Sequence, residues 1–220
     1  MRTWLRDRGL LLANLILFVV FIAGMALTGF RVYNSEQAEH GGETVSFLGY
    51  LTTGDFVEAT FENWESEFLQ MGMYVVLTAY LFQRGSSESK PIDEPAPQDE
   101  DPRDHAGDAD APGPVKRGGW VLRLYENSLA AAFFLMFLGS WLLHAAGGAR
   151  AYSEEQLAHG GTAVTMWEYI GTSQFWYESF QNWQSEFLAV AAIVGGSVYL
   201  RQRSSPESKP VAAAHAETGA

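Results

Sequence analysis

Apolar runs alternate with polar, aromatic-rich stretches along this chain, and the first runs have the length of a bilayer. Leu10 to Phe30 is uncharged and apolar throughout; Ser128 to Gly148 is a second such run, broken only by His144 near its end. About 20 apolar residues in a helix cross a hydrocarbon layer of about 30 Å, so each run predicts a membrane span. Two shorter runs, Phe68 to Phe82 and Phe187 to Leu200, fall short at about 1.5 Å per residue. The residues before them supply the missing length. Phe61, Trp64 and Phe68 lie on one helical face, as do Phe180, Trp183 and Phe187. An aromatic helix continuing into each short span, from Phe56 to Phe82 in the first case, would be about 40 Å long and would cross.

The pattern occurs twice. "YNSEQAEHGG" from Tyr33 returns as "YSEEQLAHGG" from Tyr152, and "FENWESEFL" from Phe61 as "FQNWQSEFL" from Phe180. The halves align at one offset without gaps, so that Tyr50 falls on Tyr169 and Trp64 on Trp183. Residues 1–90 and 119–209 therefore read as two membrane repeats of two helices each. Residues 91–118, rich in Pro, Gly and acid, bury too little apolar surface to offset the entropy of ordering, and are expected to be a disordered linker; 210–220 is expected to be a disordered tail.

Charge fixes the orientation. Arg2, Arg6 and Arg8, then Arg84 and Lys90, then Lys116, Arg117 and Arg123, and finally Arg201, Arg203 and Lys209 all fall on one side of four crossings. Only Arg31 and Arg150 fall on the other. By the positive-inside rule both termini are cytoplasmic, in a multi-pass protein of the cell membrane. The N-terminal run resembles a secretory signal, but the matching run of the second half lies mid-chain, which argues against cleavage. The fold expected is all-α: four transmembrane helices as two parallel hairpin repeats, with extracytoplasmic amphipathic loop helices. A net charge of −12 excludes nucleic acid as a partner, and the absence of cysteine excludes disulfides and thiolate chemistry.

Three sets of residues offer chemistry. Asn63 and Glu67, and their matches Asn182 and Glu186, stand four apart on one helical face near the outer edge of the hydrocarbon, where a carboxylate must be paired, hydrated or protonated. They would form a proton or cation site, or each Glu would bond a backbone N–H or a Tyr and lock the repeats together. Glu36 and His40, with Glu155 and His159, have the spacing at which one helical turn offers two metal ligands. The same loops open with Ser35 or Ser153 as helix caps and close with Gly pairs that reverse the chain at positive φ. Trp64 and Trp183 are suited to the headgroup layer, their rings apolar and their indole N–H polar. His144 has no match in the other half, where Met25 stands, and is expected to be interfacial.

The Asn-Trp-x-Ser-Glu-Phe block and the Tyr-x-x-Glu-Gln-x-x-His-Gly-Gly loop resemble a family of small bacterial integral membrane proteins classed as a domain of unknown function. The usual "NWQSEF" form is met at Asn182 to Phe187; the first copy has Glu65 for Gln, a charge expected at an exposed position. The family implies membrane residence and no activity. No nucleophile and base stand at a suggestive spacing, so no enzyme is implied, and no cofactor. The reading favoured is a structural or partner-binding membrane protein with an aromatic-rich extracytoplasmic cap, its partners the lipid bilayer and a membrane protein or second copy of the chain. The alternative is a small transporter or channel with a proton or cation site near Glu67 and Glu186.

Overall fold

The computed structural model describes residues 2–219, and among them there is no strand. Helix α1 spans Arg2–Glu39, α2 Phe47–Tyr50 and α3 Gly54–Tyr80; after two 3-10 turns come α4 Gly113–Arg117, α5 Gly119–Glu126, α6 Ser128–Ala158, α7 Met166–Ile170 and α8 Ser173–Tyr199. The order long, short, long thus appears twice. Helices α3 and α8 are each 27 residues and unbroken, so the aromatic stretch does run on into the short apolar run.

Helices α1 and α6 are long and apolar enough to cross a membrane, with mean hydropathy 2.7 and 1.8 over their most apolar windows. Only 6% and 17% of those windows are buried. A core helix of a soluble protein hides its apolar surface, whereas these leave most of theirs open.

Both long helices extend past the apolar run. Ser35 and Ser153, expected to cap separate helices, lie inside α1 and α6. A polar surface does not end a helix when the backbone ladder can continue, so the loop helix is an extension of the apolar helix. What ends it is the glycine pair: Gly41 and Gly160 have φ of +74° and +78°, and Gly42 N and Gly161 N donate to Gln37 O and Gln156 O, each at 2.7 Å.

The chain forms two compact units. One holds the chain up to Thr60 together with Leu143–Gly171. Here the strand-like return after each glycine turn is clasped to its helix. Val45 N donates to Asn34 Oδ1 at 2.8 Å, and Val164 N donates to Ser153 Oγ at 3.0 Å. Tyr50 and Tyr169, both buried, then lie against Gly29 and Gly148, where any Cβ would collide with the phenol ring. Tyr33 and Tyr152 complete the stack, each with ring centroids 5.6 Å from the inner tyrosine. Burial, and after it the Asp55 carboxylate, pushes the Tyr50 phenol up, so this ring stays neutral and serves packing.

The second unit holds Phe61–Leu142 and the chain from Thr172 on. Trp183 meets Phe137, Trp176 and Phe180 edge-on or nearly so, with centroids 6.2, 6.4 and 5.6 Å apart, and Trp141 meets Phe175 at 5.4 Å. Residues 91–118 and 210–219, in the stretches expected to be disordered, carry turns in the structure. In the linker Lys90 pairs with Asp99 at 2.6 Å and Arg103 with Asp101 at 2.7 Å. In the tail the buried Lys209 donates to the carbonyls of Ala214, His215 and Glu217 at 3.1, 3.0 and 2.8 Å. One ammonium satisfies three carbonyls there, which gives a polar segment the bonds that apolar burial does not.

Helix α7 carries a reciprocal cap. Thr165 N donates to Glu168 Oε2 at 2.7 Å, and Glu168 N donates to Thr165 Oγ1 at 3.3 Å. The backbone N–H of Thr165, then its hydroxyl, holds the Glu168 carboxyl below the usual carboxylate range. A depressed folded value means a contribution present above the unfolded value and lost as pH falls through the folded one. Acidification below the ordinary glutamate range is therefore expected to lower the protection of amides 165 to 168 against hydrogen exchange, taken relative to their intrinsic rates at each pH, and Glu168→Gln should remove that change in protection.

Candidate functional site

Helix α3 places Asn63 and Glu67 on an exposed face, while α8 half-buries Asn182 and Glu186. The charge of Glu67 acts on Glu186, and Gln70 Nε2 donates to the Glu186 carbonyl at 3.2 Å, so the two acidic positions share one neighbourhood. Asn182 Nδ2 donates to Glu178 O at 3.2 Å, and the backbone carbonyl of Asn63 accepts from Ser66 Oγ at 2.7 Å.

Between Asn63 and Glu67 sits Glu65, a charge expected at an exposed position. Glu65 is not exposed; its side chain is fully buried, and its Oε1 accepts the indole N–H of Trp183 at 3.1 Å. The signal was present in the stripe. Phe61, Trp64 and Phe68 define positions i, i+3 and i+7, and Glu65 occupies i+4 on that same face. Its match Gln184 is exposed and bonds only the Gln181 carbonyl, at 3.0 Å. Trp64, half-buried, meets Phe61 and Phe68 with centroids 5.1 and 6.5 Å away.

In the loop extensions, Glu36, His40, Glu155 and His159 are all exposed. His40 Nδ1 lies 2.8 Å from Glu36 O and His159 Nδ1 2.9 Å from Glu155 O, so each ring is turned to its own helix backbone. Neither pair joins a third metal-capable side chain among the described residues.

His144, expected to be interfacial, also sits elsewhere. It is fully buried, not interfacial. Three and four residues on, Gly147 and Gly148 share its face of α6, and small residues there let other elements come close enough to cover it. The first turn of α3 takes that opening: a Cβ on Gly54 would meet Gly147 O at 2.8 Å, and one on Gly147 would meet Glu58 N at 2.6 Å. This approach brings a Glu58 carboxylate oxygen within 4.8 Å of a ring nitrogen of His144. Tyr169, fully buried, donates its phenol to Glu58 Oε1 at 3.0 Å. A Glu–Tyr bond linking the two sequence copies thus occurs, and Glu58 makes it.

The arrangement is that of a packed helical protein with a buried glutamate bonded to an indole and a half-buried one bonded to a phenol. No curated protein matches the chain and no solved structure does. One family model, described as "Domain of unknown function (DUF6766)", matches residues 1–220. The chain accordingly belongs to that family.

Proposed function

We propose that this is a structural or partner-binding protein of the cell membrane, crossing four times as two parallel hairpin repeats with both termini cytoplasmic. Its working surface is the aromatic cap on the opposite side. The observation that carries this reading is the two-sidedness of α2 and α7. Tyr50 and Tyr169 turn inward and pin these helices, while Leu48 and Trp167, at matching positions, stand 74% and 69% exposed. A fixed backbone presenting an apolar side chain is a preorganised contact, for which little ordering entropy is lost on binding. Helices α3 and α8 lack a stretch as apolar as those in α1 and α6, and their length of 27 residues supports crossing with the aromatic turns in the outer interface.

The test uses the absence of cysteine. Single Glu43→Cys and Thr162→Cys variants should be labelled by an impermeant maleimide from the outside, and Gly107→Cys only after permeabilisation. Cross-linking in native membranes should then yield a stoichiometric partner that Leu48→Ser with Trp167→Ser loses. Absence of any partner, together with proton or cation flux in liposomes abolished by Glu67→Gln with Glu186→Gln, would establish the transport reading instead. The charge of Glu67 acting on half-buried Glu186 is what favours that alternative.

A further inference from the structure

We propose that Glu58 and His144 bind a divalent transition-metal ion of the zinc class, with Tyr169 as the residue that orients the carboxylate. The proposal goes beyond the partner-binding reading and does not depend on it.

The packing of the cap supplies the argument. Each half seats an inner tyrosine on a helix glycine, Tyr50 on Gly29 and Tyr169 on Gly148, under a second ring. The positions that match His144 and Glu58 are Met25 and Tyr177. The seat of Tyr50 therefore forms without a histidine or carboxylate at those places, and packing alone does not call for them around Tyr169. What they add is a carboxylate oxygen and an imidazole nitrogen within 4.8 Å of each other, with His144 fully buried. Two donors around a zinc-class ion at about 2.0–2.2 Å each lie no more than about 4.4 Å apart, so the pair is spaced for one ion after a small adjustment.

The second sphere is also in place. The phenol of Tyr169 donates to Glu58 Oε1 at 3.0 Å, the kind of outer bond that fixes the direction of a ligating carboxylate. One carboxylate with one imidazole suits zinc, cobalt or manganese over calcium, which takes oxygen ligands alone. A cation also offsets the cost of a carboxylate held at the head of a membrane span.

The test loads the full chain, in detergent, with zinc or cobalt and then dialyses it against weak chelator. About one equivalent should remain by elemental analysis, with imidazole scattering in the X-ray absorption spectrum of the cobalt form. His144→Gln and Glu58→Gln should each lower the affinity at least tenfold, Tyr169→Phe about tenfold or more, and His40→Ala with His159→Ala should leave it unchanged. Retention of no metal, a spectrum without imidazole, or loss of the ion only in the His40 and His159 variant would overturn the proposal. The spectrum is taken on the unaltered protein, so the outcome holds even if a substituted chain fails to fold.

Discussion

Gly147→Ala lowers the melting temperature of the protein in detergent, while Gly139→Ala, about two turns earlier on the same helix, raises it. Alanine is the better helix former by about 1 kcal/mol at any interior position, so surroundings decide the sign. At Gly139 an added methyl meets nothing within 4 Å. At Gly147 it meets Glu58 N at 2.6 Å and Val57 Cγ1 and Cβ at 2.9 and 3.0 Å. A backbone nitrogen cannot swing aside as a side-chain end can, so α3 must back away from α6. Overpacking of this kind costs about 1–3 kcal/mol or more, which exceeds the propensity gain. Gly147→Leu should go further and destroy the contact, and with it the bond from Tyr169 to Glu58. Equal melting of the two alanine variants would refute a tight crossing at this point.

What could be read from the chain depended on whether a feature was local. The unbroken α3 and α8 followed from apolar length and the aromatic stripe, and the reversals at Gly41 and Gly160 from the glycine pairs, because each is decided within a few residues. Burial of polar groups is decided by what arrives from elsewhere. Glu65 and Gln184 hold the same place in matching motifs, yet one is buried against an indole and the other is exposed.

Retention in both halves singles out some polar positions and passes over others. Positions kept in both halves, Glu67 with Glu186 and His40 with His159, were the natural candidates. Two side chains that the structure buries fully, Glu65 and His144, are ones the halves do not share. Duplication preserves what both copies need for folding, whereas a function carried once per chain leaves its mark as a difference. His144 is visible in that sense as an ionisable side chain in an apolar run, three and four residues ahead of two glycines.

Glu65→Ala is expected to cost about 2–4 kcal/mol in unfolding from mixed micelles, and Glu65→Gln less than about 1 kcal/mol. The alanine removes the acceptor of the Trp183 indole N–H and leaves that donor buried, at about 1–3 kcal/mol, and adds a cavity worth about 1 kcal/mol or more. The amide of glutamine has nearly the same volume and keeps a carbonyl oxygen where Glu65 Oε1 now lies 3.1 Å from the indole nitrogen. Gln184→Ala, at the matching but exposed position, should change stability by no more than about 0.5 kcal/mol. Trp183→Phe separates the bond from the packing, since the ring edge against Phe137 and Phe180 is largely kept while the N–H is lost. If Glu65→Ala and Gln184→Ala proved equally mild, the indole bond would carry no stability and the glutamate would have to be held by its other neighbours alone. A large loss in Glu65→Ala that Trp183→Phe does not share would point the same way, because a bond that matters must fail from either end.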